Sequence, residues 1–256
     1  MKRPIRSLLA GFLGIAALAP AGLAARTSAP CSAGTIYLTI DTGWGREAER
    51  IAEILKRRGI RATLFVANEP THRGDRSLDP GWAEFWRARA AEGHFFASHT
   101  DRHWYFRGDP APGFVRFVSF DNKNETRLDQ AAMCRELNAP IARLRAAVPD
   151  AVILPLWRAP GGITTPNALR MAESCGFRHQ RWTPNGFLGD ELNSEAHPNA
   201  GLRDRAIRSI KDGDVLVMHW GVRSRKDPYA NILEAVLDGL QAKGLCFGQL
   251  NAGGRH

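Results

Sequence analysis

Short apolar runs alternate with amphipathic stretches along most of this chain, and that alternation restricts the possible folds more than any other feature. "TIYLTI" (35–40), "ATLFVA" (62–67), "HFFASH" (94–99), "AVILPLW" (151–157), residues 177–182, "DVLVMHW" (214–220) and "LCFGQL" (245–250) read as buried strands. Helical patterns fall between them, over 47–59, 80–93, 126–147, 166–175, about 202–211 and about 229–243. In the first of these Ile51, Ile54 and Leu55 share one face, and Gly59 supplies a stop. A helix after each strand carries the chain back to the same end of the sheet, so the strands run parallel. About seven such units predict an α/β protein closed into a (β/α) barrel, with an open doubly wound sheet as the alternative. The chain has 256 residues, 44% of them hydrophobic, and shows no repeat or linker, which suits one domain with one core. Two long loops remain, 68–79 and 104–125; the second carries aromatics expected to be exposed.

The first 25 residues read differently. Lys2, Arg3 and Arg6 precede an apolar stretch from Leu8 to Leu18, and small residues follow. That stretch is shorter than the roughly 20 residues a membrane span needs, so a cleavable signal peptide is expected, cut near Ala24 or Ala25, with an uncleaved anchor as the alternative. Export would leave no stable membrane span and would place the protein in the periplasm or outside the cell. In such an oxidising compartment Cys31, Cys134, Cys175 and Cys246 suggest two disulfides, for which three pairings exist. Three of the nine net positive charges lie in the leader. The remaining basic residues are spread along the chain and are not interleaved with aromatics, which argues against a nucleic-acid partner.

Ligands of parallel α/β folds collect at the C-terminal ends of the strands. Asp41 ends the first predicted strand, and His99 and His103 follow the third. Arg158 ends "VILPLW", and His219 ends "DVLVM". Two histidines four residues apart project to one side if they lie on a helical turn, and such a pair suits two ligands of a zinc-like ion. Thr100 follows His99, so the H-E-x-x-H protease pattern is absent. The "DTG" at 41–43 also occurs in aspartic proteases, but those need two carboxylates sharing a proton, and that reading leaves the histidines and Arg158 without a role.

In order along the chain, "TIDTG" (39–43), "HTDRH" (99–103), "RAPGG" (158–162), "RWTPNGFLGD" (181–190) and "LVMH" (216–219) resemble the five motifs of the polysaccharide deacetylases, the NodB homology domain of carbohydrate esterase family 4. The resemblance covers about residues 34–250. It implies a distorted (β/α) barrel and a metal-dependent hydrolase that removes N-acetyl groups from an amino-sugar polymer or oligomer. By the same resemblance His99 and His103 hold a divalent metal, most simply zinc, and Asp41 is the general base, oriented by Arg158. His219 is the general acid, with its ring held by Asp190, and a backbone N–H helps stabilise the oxyanion. Trp182 and Phe187 are candidates for the floor of a sugar site.

Thr42 departs from the family pattern, which has a second, metal-ligating Asp there. Asp101 or an acid of the 104–125 loop is expected to substitute. The alternative is a catalytically weakened glycan-binding domain of the same fold. If the barrel closes, the first and last strands are neighbours, which favours a Cys31–Cys246 disulfide and leaves Cys134 to Cys175.

Overall fold

A computed structural model describes residues 31–253, together with Met1; the leader expected at 1–25 lies otherwise outside the described residues. The elements in chain order are β1 (Gly34–Asp41), α1 (Ala48–Arg57), β2 (Thr63–Val66), α2 (Ala83–Ala91), β3 (Phe95–Ser98), β4 (Tyr105–Ala111), β5 (Phe114–Val118), β6 (Glu125–Leu128), α3 (Gln130–Ala147), β7 (Ile153–Trp157), α4 (Pro166–Ser174), β8 (Arg178–His179), α5 (Asn199–Ser209), β9 (Val215–His219), α6 (Leu233–Ala242) and β10 (Leu245–Gly248). Seven strands form one parallel sheet in the order β10-β1-β2-β3-β7-β8, with β9 also paired to β1. The sheet is curled, and among the described residues β8 does not pair with β9. Residues 183–188 bridge that gap instead: Thr183 N–H donates to the Val215 carbonyl at 3.1 Å, and Phe187 pairs with Val217. The result is the barrel expected from the alternation, with a seam closed by loop rather than strand.

Side-chain alternation along β1 divides the interior into two environments. Ile36, Leu38 and Ile40 point outward into the layer beneath the helices, with Ile51, Leu55, Leu64, Val66, Phe96, Leu216, Met218, Leu233 and Leu237. Tyr37 points into the barrel, with Phe65, Ala97, Leu156 and Val215. Thr39 and Asp41 share the inward phase, which carries polar groups up the barrel axis. Helix ends follow local chemistry. Asp129 caps α3 by accepting the Ala132 N–H at 2.7 Å, and Thr165 caps α4 from Ala168 at 3.1 Å, with Pro166 opening the helix.

Residues 104–125 are not a loop. They make most of a three-stranded antiparallel sheet, β4-β5-β6, whose last strand also takes residues 126–128 from the helix expected at 126. Its aromatics are not all exposed: Phe106 and Phe117 are fully buried on Trp157, Met133, Leu137 and Met171, which anchors the small sheet on α3, α4 and the end of β7. Phe114 and Phe120 remain exposed. Cys31 joins Cys246 and Cys134 joins Cys175, as the neighbouring first and last strands imply.

Candidate active site

The strand register brings the expected residues to one level. Asp41 is opposite His219 across β1 and β9, and opposite Phe65 across β1 and β2. Val66 is level with Ser98, and Ser98 with Trp157, so His99 and Arg158 each follow directly at the same height. The ladder continues into them, with His99 N–H on the Val66 carbonyl at 2.8 Å and Arg158 N–H on the Ser98 carbonyl at 2.9 Å. All six residues expected from sequence, Asp41, His99, His103, Arg158, Asp190 and His219, therefore meet at one rim.

One half of the rim is built on Arg158, which is fully buried. Its Nη1 donates to Asp41 Oδ1 at 2.7 Å and to Thr39 Oγ1 at 2.8 Å, and its Nε donates to the Gln180 carbonyl at 3.1 Å. The guanidinium lies 4.0 Å over the Phe65 ring. Burial pushes the pKa of Asp41 upward, but Arg158, with His99 and His219, outweighs it and holds the carboxyl below its usual range. His99 is also buried. Its Nδ1 meets the Arg158 carbonyl at 2.9 Å, and because a carbonyl only accepts, Nδ1 carries the proton and Nε2 keeps its lone pair. Burial pulls the His99 pKa down to about 3, with the Asp41 charge only partly opposing it.

The other half is built on Asp190, which is 3% exposed. It accepts the His219 backbone N–H at 2.7 Å, and both its oxygens lie 3.2 Å from His219 Nδ1. Burial alone lowers the pKa of His219, but Asp190, Asp41 and Glu191 together raise it to about 10. The ring is thus a cation at neutral pH, with Nε2 toward the open side.

His103 completes the site by a route that differs from the expected one. The histidine pair does not lie on a helical turn. Thr100 and His103 adopt left-handed conformations at φ 67° and 57°, uncommon for side-chain-bearing residues, and this bent loop turns the two rings toward each other. Their Nε2 atoms are 3.2 Å apart, and Asp41 Oδ2 is 3.5 Å from His99 Nε2.

The expected replacements for the missing ligand are elsewhere. Asp101 pairs with Arg143 at 3.3 Å, Asp109 accepts the Asn167 N–H at the start of α4, Asp121 serves its own turn, and Glu125 pairs with Arg116. Two acids not expected from sequence are present instead. Glu69 Oε2 is 3.5 Å from His103 Nδ1, and Glu191 Oε2 is 4.0 Å from His219 Nε2. Burial, aided by Asp190 and Asp41 and opposed by His219, holds Glu191 above the usual carboxylate range. Both had a signal. Glu69 follows the end of β2, and Glu191 adjoins Asp190.

The paired imidazoles could serve a divalent ion as two ligands: the His99 Nδ1 proton is committed to a carbonyl, which leaves the Nε2 lone pair facing His103 Nε2 at 3.2 Å. Among the described residues, no group of three His, Cys, Asp or Glu side chains closes around one point. Further positions would fall to water and substrate oxygens. Around the rim, Tyr105 packs on Gly161, and Trp182 crowds Gly162 so closely that a Cβ there would sit 2.6 Å from the ring. Trp182 stacks with Phe187 at 6.3 Å.

Comparison with known proteins agrees with this fold. Solved structures with the same fold include a family 4 carbohydrate esterase of Streptomyces lividans in complex with acetate, 20% identical, with a TM-score of 0.62 over 87% of this chain and 96% of that one. The Bc1960 peptidoglycan N-acetylglucosamine deacetylase is 18% identical, with a TM-score of 0.63 over 87% and 89%. BA3943, a CE4-family pseudoenzyme of Bacillus anthracis, is 18% identical, with a TM-score of 0.61 over 85% of this chain; the chain spans 64% of that protein's length. A BA3943 mutant with restored enzymatic activity has the same fold, and the chain spans 66% of it. No curated protein matches the sequence. The family model for polysaccharide deacetylases matches residues 29–179, which hold Asp41, both histidines of the pair and Arg158 and amount to more than half of the sequence. The chain belongs to the polysaccharide deacetylase family.

Proposed function

We propose that the protein is an exported hydrolase that removes N-acetyl groups from an amino-sugar polymer or oligomer of the peptidoglycan, chitooligosaccharide or poly-N-acetylglucosamine type. One observation carries the reading. A carboxylate held ionised and an imidazole held protonated lie level on adjacent strands beside a pair of facing imidazoles. Amide hydrolysis needs that combination, because water must lose a proton and the departing nitrogen must gain one.

In this reading His99 and His103 hold a divalent ion, zinc in the simplest case, which when bound supplies Lewis-acid polarisation of the acetamide carbonyl. Asp41 takes the proton of the attacking water through Oδ2, since Oδ1 is committed to Arg158. Arg158 fixes the direction of that carboxylate and keeps it charged. His219 delivers a proton from Nε2 to the amine as the C–N bond breaks, while Asp190 holds the ring by Nδ1. The products are acetate and a free amine on the sugar. Trp182 and Tyr105 offer ring faces beside this centre for sugar C–H surfaces. The deacetylase domain occupies about residues 34–250 behind a leader at 1–25. The two disulfides support export, and no helix among the described residues is long and apolar enough to cross a membrane.

Acetate release from N-acetylated chitooligosaccharides, peptidoglycan and poly-N-acetylglucosamine tests the reading. Release is expected from at least one substrate and should be suppressed by a chelator and restored by zinc. The second reading, a weakened glycan-binding domain, draws on Thr42 and on the fold shared with a pseudoenzyme. Glycan binding with no release from any substrate, with or without added metal, would favour it.

A further inference from the structure

The residue at position 42 has a definite job in this protein. The buried Thr42 hydroxyl accepts the Ala67 N–H at 3.1 Å, at the point where β2 ends. The next residue, Asn68, donates its N–H to the Asp101 carbonyl at 2.9 Å, between the two histidines of the pair. Ser77 then holds Glu69 from the far side of the 68–79 loop: its N–H donates to the Glu69 carbonyl at 2.9 Å, and its hydroxyl accepts the Glu69 N–H at 3.2 Å. Four hydrogen bonds thus fix residues 67–69, and the one from Asn68 ties that segment to the histidine loop. At the end of this path Glu69 Oε2 faces His103 Nδ1 at 3.5 Å, while its buried Oε1 has no hydrogen-bond partner.

We propose that Glu69 is the positioning carboxylate of His103, holding the Nδ1 proton so that the Nε2 lone pair is presented beside that of His99, and that Thr42 fixes the loop which carries it. The inference rests on the metal-dependent reading of the site. The geometry rules out Glu69 as a ligand for an ion shared with His103 Nε2 in this arrangement, because the two ring nitrogens point to different sides of the imidazole. What Glu69 supplies is orientation, a defined tautomer and a negative charge close behind one ligand. Carboxylates in that relation to a ligating histidine raise its basicity, and their loss typically lowers metal affinity about 10–100-fold. The acid replacing the family's second Asp would then sit behind the histidine rather than beside it. Thr42 meanwhile has a use for its hydroxyl, which accepts the backbone amide directly after β2.

Imidazole ¹⁵N chemical shifts in the metal-free protein, together with zinc affinity by chelator competition, decide the matter. Wild-type His103 should carry its proton on Nδ1. Glu69→Ala should shift that proton toward Nε2 and weaken zinc uptake about 10–100-fold with an unchanged melting temperature. Glu69→Gln, whose amide oxygen can still accept from Nδ1, should rescue the tautomer and part of the affinity. Thr42→Val, which deletes the acceptor for Ala67, should weaken zinc uptake several-fold, whereas Thr42→Ser should not. Glu69→Ala with zinc affinity within threefold of wild type, or a wild-type His103 protonated on Nε2, would overturn the proposal. Wild-type protein with the expected tautomer that takes up no zinc would instead overturn the metal-dependent reading of the site.

Discussion

His99 and His219 stand at the same rim, yet the fold drives them in opposite directions, to about 3 and to about 10. His99 is buried and His219 largely so, and burial favours the neutral ring in each case. What separates them is the partner at Nδ1. His99 meets a carbonyl, a dipole that orients the ring without rewarding a charge, and the Arg158 cation lies nearby. His219 meets a carboxylate, with Asp41 and Glu191 adding to the same field. One histidine therefore keeps a lone pair at all ordinary pH values and the other keeps a proton. A ligand needs the first condition and an acid needs the second. The division is set chiefly by what lies behind each ring, and the acids in front of His219 add to it.

The strongest way to break the contrast is to remove the charge that lies between its halves. Asp41→Asn should reduce acetate release by at least about a thousandfold, because the proposed base is lost. It also leaves the buried Arg158 without a counter-charge, which should cost about 3–5 kcal/mol in urea-induced unfolding. Activity loss without any loss of stability would show that Arg158 is compensated by another group.

A narrower cut removes only the field at His219. Asp190→Asn should lower kcat by about a hundredfold and move the alkaline limb of the pH–rate profile. The sign follows from the direction of the shift. His219 is raised, so its proton is fully present at neutral pH and is lost as the pH climbs through about 10; without Asp190 that loss should occur nearer the ordinary imidazole range, starting from 6.5. The same shift ties folding to pH. The stability that His219 gains from its carboxylates is complete below its unfolded value and disappears as the pH rises through about 10. An alkaline limb unmoved in Asp190→Asn would assign the acid role to another group. The smallest expected change is at position 42. By the family resemblance, Thr42→Asp should tighten zinc binding roughly tenfold by restoring the family's second carboxylate. An unchanged affinity would mean that the new side chain stays on the Ala67 amide, as the threonine does.

The parts of this site that could be read in advance share one property, an apolar run with a polar residue at its end. β1, β3, β7 and β9 are such runs, the first, second and fourth buried on both faces over most of their length, and their ends are Asp41, the approach to His99, Arg158 and His219. Glu69 is less legible because Ala67 and Asn68 separate it from the end of β2. The histidine spacing suggested a helical turn, and tertiary constraints overrode it with two left-handed residues. The β4-β5-β6 sheet was hidden for another reason. Its strands mix glycine, proline and charge, as in "YFRGDPA", and the aromatics that bury themselves on Trp157 and α3 have no alternation long enough to reveal a period of two.

The cysteine pairing has a consequence for how such a chain is made. The two bridges are nested: Cys134 and Cys175 close a short loop inside the long one closed by Cys31 and Cys246. A polypeptide emerging from its N-terminus into an oxidising space presents Cys31 first and Cys134 next, well before either native partner. Pairing in order of appearance would join the wrong two and sew the first strand to a helix from the opposite side of the barrel. Correct assembly therefore depends on Cys31 staying reduced, or on its first bridge being exchanged, until the final strand arrives beside it. Yield in an oxidising host should then be limited by disulfide shuffling rather than by the intrinsic stability of the fold.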